Sequence, residues 1–192
     1  MTAPTAVSPL DAGALLDHGR WSRYQVWLII ATALTIIVDG IDNQLLPNAL
    51  PALIREWGVT RAGFTTALAV GPIGMMFGGV LGGFLGDRIG RRPALVLSVL
   101  WFGILSLGIA FVDSVSMLAL LRFLTGVGLG GAMPNAATLA SEYAPVRQRP
   151  VAVTLTIVCI PLGGALAGEL AARLIPIYGW ASLFAVGGAV PI

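Results

Sequence analysis

Between Gly83 and Pro93 the chain crowds Asp87, Arg88, Arg91 and Arg92 into one short connection, and apolar runs lie on either side at residues 63–85 and 94–112. Each run is long enough to cross a bilayer, which takes about 20 predominantly apolar residues. Four charges so close together cannot follow their neighbours into hydrocarbon. Three of the four are arginines, the residue type that gathers in cytoplasmic loops of membrane proteins. A backbone in lipid must satisfy its own hydrogen bonds, so runs of this length read as helices. The expected fold class is all-α, a polytopic membrane protein.

Composition agrees. Of 192 residues, 57% are hydrophobic and 10% charged, with mean hydropathy +0.90, whereas a soluble domain carries about 25% charge. The eleven basic residues are all arginine. Cys159 is the only cysteine and falls in an apolar run, which leaves no internal disulfide or thiolate metal site. His18 is the only histidine and sits in the polar leader, so histidine chemistry inside the membrane is excluded. Residues 1–23 hold Pro4, Pro9, Asp11 and Asp17 without an apolar core. They read as a cytoplasmic tail and not as a secretory signal.

Residues 24–192 then form a transmembrane bundle, with helices expected at 24–46, 63–85, 94–112, 117–140 and 151–174 and an incomplete sixth at 181–192. Trp21, Tyr24 and Trp27 form an interfacial anchor, and Pro47 and Pro51 are expected to stop the first helix. Arg55, Glu56 and Arg61 would lie in the first outside loop. Arg20, Arg23, Arg88, Arg91, Arg92, Arg147 and Arg149 fall on one side and Arg55, Arg61 and Arg173 on the other. That asymmetry puts the N-terminus in the cytoplasm.

Glycine concentrates where helices should touch. Gly71, Gly74, Gly78, Gly79, Gly82, Gly83 and Gly86 make small-xxx-small series in the second helix, and Gly164 and Gly168 repeat the device in the fifth. A sliding surface between moving halves is the sharper alternative to simple packing. Gly126, Gly128 and Gly131 fit the dinucleotide fingerprint G-x-G-x-x-G. They lie inside a long apolar run and not between a strand and a helix, so helix packing explains them better.

Three charges remain deep in the runs: Asp39, Asp42 and Arg122. Each costs at least about 2.5–3.5 kcal/mol to insert and so points to function. Asp39 and Asp42 are i, i+3 and share a helix face. Asp39 lies roughly 10 Å from the outer end of the first helix and Arg122 about 8 Å from that of the fourth, at 1.5 Å per residue. All three are expected to meet in a wet pocket, with Gly40, Asn43 and Gln44 widening the polar face. Two carboxylates against one guanidinium leave a spare negative charge for a proton. The arginine's planar fork also suits a substrate carboxylate. A buried pair that only fixes helix register is the plainer alternative. Glu169 and Arg173 read as a solvated end pair. Glu142 and Arg147 fall level with Asp87, Arg88 and Arg91, where breaking and remaking a charge cluster would make a gate.

The run Gly83-Phe84-Leu85-Gly86-Asp87-Arg88-Ile89-Gly90-Arg91-Arg92 resembles the signature between the second and third helices of the major facilitator superfamily. Arg122 to Gly128 resembles that superfamily's fourth-helix signature. Asp39-Gly40-Ile41-Asp42, Gly130 to Asn135 and Ser141 to Pro145 are similar to the aromatic acid:proton symporter family. The resemblance implies the N-terminal six-helix half of a twelve-helix fold. It implies proton coupling or a substrate path at Asp39, Asp42 and Arg122, and a cytoplasmic gate at Gly83, Asp87, Arg88, Gly90, Arg91, Arg92, Glu142 and Arg147.

The resulting expectation is a proton-coupled symporter in a bacterial inner membrane that imports benzoate, 4-hydroxybenzoate or a related acid. A drug exporter, a sugar or organic-acid porter, or a truncated non-transporting fragment are the alternatives. Its partners would be the aromatic acid, protons, the lipid bilayer and a C-terminal half. No cofactor, metal or nucleic acid is expected, and no nucleophile–base pair marks an enzyme.

Overall fold

With no water to bond peptide groups in hydrocarbon, the apolar runs fold as helices. The computed structural model describes residues 23–143 and 149–192. Among them the order is α1 (Arg23–Trp57), a 3₁₀ turn (Arg61–Phe64), α2 (Thr65–Ile89), α3 (Arg91–Ile109), α4 (Val115–Tyr143), α5 (Arg149–Tyr178) and α6 (Trp180–Ala189). The first five helices are long and apolar enough to cross a membrane, and α6 spans 10 residues. Residues 1–22 of the leader and Arg147 lie outside the described residues, and Arg23 already opens α1.

Helix α1 does not stop at Leu46. It runs through Pro47 and Pro51 and takes Arg55 and Glu56 into its last turn. Both prolines point away from the packed face, while Leu45, Leu46, Ala49, Leu50 and Leu53 are buried on it. Proline is tolerated inside membrane helices where neighbouring helices pack against the freed backbone, and the packed face of these five side chains supplies such neighbours here. The charged connection is also shorter than expected. Asp87 and Arg88 belong to α2, Arg91 already begins α3, and the break is Gly90 alone, at φ 97°. Only glycine adopts that backbone region without strain.

The bundle consists of two three-helix sets with corresponding contacts. Helix α2 packs along α4 much as α5 packs along α1, α3 lies against α4 and α6, and α1 touches both α4 and α6. Backbones meet directly along the α2–α4 seam. A Cβ on Gly74, Gly78 or Gly82 would fall 2.2, 2.0 and 2.2 Å from Phe123 O, Val127 O and Gly131 Cα, and one on Gly126 or Gly130 would meet Gly71 O or Met75 O at 2.3 or 2.1 Å. The fingerprint-like glycines of α4 are thus packing surface, with Gly128 set against Trp101 and Phe102 of α3. On α1–α5 the close pair is Gly40 with Ile160 O and Gly163 with Ile37 O, at 2.3 and 2.1 Å. The expected pair contributes little: Gly164 only grazes Gln44, and Gly168 has nothing within 4 Å.

At the Trp57 end, Trp57 stacks on Phe64 and meets Trp180 edge-on, and Trp180 Nε1 donates to Glu56 Oε2 at 2.9 Å. This fastens α1 to α6 above a core that includes Leu45, Leu53, Leu118 and Phe184. Cys159 is buried beside Ile36 and Ala136 as a small core residue.

Candidate functional site

The α1–α5 and α2–α4 seams fix how α1 faces α4, and they place Asp42 against Arg122. Arg122 Nη1 donates to Asp42 Oδ2 at 3.0 Å, and both terminal nitrogens lie 3.4–3.5 Å from the Asp42 carbonyl. Ser106 of α3, fully buried, donates to Asp42 Oδ1 at 3.2 Å. Asp42 is 2% exposed and Arg122 8%. One carboxylate therefore joins α1, α3 and α4.

Asp39 does not share the guanidinium. It is 4% exposed, Oδ1 has no hydrogen-bond partner, and no cation pairs with it among the described residues. The two aspartates share a face, but one turn of helix separates them and Arg122 reaches only the farther one. Arg122 Nε is likewise buried without a partner. Beside it lies a cavity of about 20 Å³ bordered by Asp42, Asn43, Thr125 and Gly126, enough for one water. The three charges expected to meet in one wet pocket do not all do so: Asp42 and Arg122 border this cavity, Asp39 does not line it, and it is closed to anything as large as a benzoate.

At the Gly90 end the expected gate residues divide. Asp87 and Arg91 form an ion pair across the Gly90 break, and Arg91 Nη1 also reaches Asn135 Oδ1 of α4 at 3.5 Å. Arg88 lies exposed over the Phe84 ring at 4.4 Å. Gly83 is half-buried with open space at its Cβ position, and Arg92 borders a groove of about 480 Å³ with Trp27 and Leu139. Glu142 is exposed and pairs with no other described residue. The link from the charged corner to α4 is therefore Asn135, seven residues before Glu142 and on the buried face. Glu169 and Arg173 form the exposed end pair anticipated for them.

Ser106 and Asn135 are the site residues that charge-based reasoning passed over. Both are lone polar side chains in apolar runs, which is the one signal that marks them.

The fold and its buried charges define a polytopic helical membrane protein. Residues 6–192 match the model of the Major Facilitator Superfamily, and the chain belongs to that superfamily, a class of transporters and not of enzymes. It is similar to the 4-hydroxybenzoate transporter PcaK of Pseudomonas aeruginosa, with 41% identity over 100% of this chain and 43% of that protein. The gallate transporter of Pseudomonas putida is 36% identical over 100% of this chain and 43% of its own length. The benzoate transport protein of Acinetobacter baylyi is 32% identical over 93% and 40%. Among solved structures, the inward open xylose transporter XylE from E. coli superposes with TM-score 0.75 at 21% identity, covering 88% of this chain and 46% of that one. The chain thus spans less than half the length of the relatives it matches.

Proposed function

We propose that this chain is the N-terminal half of a symporter that imports an aromatic carboxylate, such as 4-hydroxybenzoate or benzoate, with protons by alternating access. It would sit in a bacterial inner membrane with its N-terminus in the cytoplasm. The observation that carries the reading is the buried set of Asp39, Asp42 and Arg122, in a chain 41% identical to a 4-hydroxybenzoate transporter. Arg122 offers the planar fork that takes a carboxylate, and in the closed pocket one nitrogen of that fork holds Asp42 Oδ2. A substrate carboxylate gains the guanidinium when Asp42 lets go. Asp39 can bind and release a proton without breaking an ion pair, which suits it to coupling.

Apolar faces left open on α2 (Met76, Phe77, Val80, Phe84) and on α5 (Ile157, Val158, Leu162) suit burial against lipid and a second helical half. The test is uptake of labelled 4-hydroxybenzoate by cells making the complete gene product. Accumulation that collapses with an uncoupler and is lost in Asp39→Asn supports the reading. Absence of uptake of any aromatic acid overturns the substrate, and accumulation surviving both treatments overturns the proton role.

A further inference from the structure

Asn135 is 0% exposed, at a depth in α4 where an amide is costly unless every polar atom is bonded. Its Nδ2 donates to Gly82 O across the seam and to Gly131 O one turn back, both at 2.8 Å, and Oδ1 accepts from Arg91 Nη1 at 3.5 Å. Arg91 in turn holds Asp87. A single side chain therefore ties α2, α3 and α4 together. Gly86 leaves the room for it, since a Cβ there would fall 2.1 Å from Asn135 Oδ1 and 3.0 Å from Arg91 Nη1.

The three bonds are unequal. The two to backbone carbonyls are short and brace the seam, whereas the one to Arg91 sits at the limit of hydrogen-bond length and is the one that yields. We infer that Asn135 is a positioning residue that aims the Arg91 guanidinium at Asp87, so that the charged corner can open and re-form while α2 and α4 keep their register. The two roles are separate: Nδ2 holds the helices, and Oδ1 steers the arginine. A residue that only filled the seam would have no influence on the ion pair.

The kinetic arm of the test rests on the transport reading, and a labelling arm does not. In the complete protein, Asn135→Ala lowers the maximal uptake rate about tenfold with KM unchanged. The losses from Asn135→Ala and Arg91→Gln combine to less than their product in the double variant, because both remove the Oδ1–Nη1 contact. Rates that multiply instead overturn the inference. Gly86→Ala, whose Cβ displaces the Asn135 amide from Arg91 and crowds the arginine as well, reproduces the loss, and a rate equal to that of the parent overturns the inference where Asn135→Ala fails to reach the membrane.

Independently of any substrate, Ile89→Cys, in a complete protein cleared of Cys159 and of any cysteine in its other half, reports on the corner through its rate of maleimide labelling. That rate rises severalfold on adding Asn135→Ala or Gly86→Ala, and an unchanged rate in both overturns the inference. If the complete protein carries no aromatic acid, the functional reading fails while the labelling result still stands.

Discussion

Arg122 and Asp42 meet at 3.0 Å in the interior of the bundle, eighty residues apart in the chain. The pair is buried on both sides, so removing one partner strands a charge. Arg122→Ala or Asp42→Ala is expected to destabilise the bundle by about 3–5 kcal/mol, whereas Arg122→Leu with Asp42→Leu recovers most of the loss. Thermal unfolding of the three variants in detergent measures this, and equal losses in single and double variants would contradict a paired origin.

Ser106→Ala removes the bond to Asp42 Oδ1 without unpairing Arg122. A hydrogen bond to a charged group contributes about 1.5–3 kcal/mol, so the stability loss is smaller than that of Arg122→Ala. If Asp39 carries the proton as proposed, uptake by Ser106→Ala should retain its uncoupler sensitivity.

Asp39→Asn breaks no ion pair, since none holds Asp39 among the described residues. The variant is expected to fold and to reach the membrane at normal levels while losing uphill accumulation. Equilibration of labelled acid down its own gradient should persist. Immunoblotting of membranes beside uptake with and without an uncoupler separates these outcomes.

The seam glycines should differ sharply from an unconstrained one. Gly78→Ala drives its Cβ into the Val127 carbonyl and is expected to collapse expression, whereas Gly168→Ala meets nothing and gains up to about 1 kcal/mol of helix propensity. Fluorescence-detected size-exclusion profiles of the two variants supply the comparison.

Neutralising the exposed pair by Glu169→Gln should change unfolding by less than about 1 kcal/mol, because water and salt screen it. A larger loss would place that end of α5 against something other than solvent.

Helix number and the charged corner were legible because hydropathy and arginine placement are local signals. Helix ends were not. Proline at 47 and 51 argues for a stop until the buried leucines beside it are counted, and those count only once α4 and α6 are in place. The glycine pattern announced a seam without naming its partner. Spacing put Asp39 and Asp42 on one face, yet which of them reaches Arg122 depends on the rotation of α1 against α4, which Gly40 and Gly163 set from the far side through α5. Asn135 could be quoted as part of a motif, but its bonds run to a backbone carbonyl 53 residues away and to a side chain 44 away. No periodicity encodes such partners.

The α2–α4 seam is built of main chain, and main chain has no alternative rotamers. Two helices joined largely in this way move as one plank, with few side chains between them, Asn135 among them, to absorb a shift. Any change in the bundle's shape must then come from movement of this plank against α1 and α5, and the plank carries the buried Arg122 with it at a fixed height.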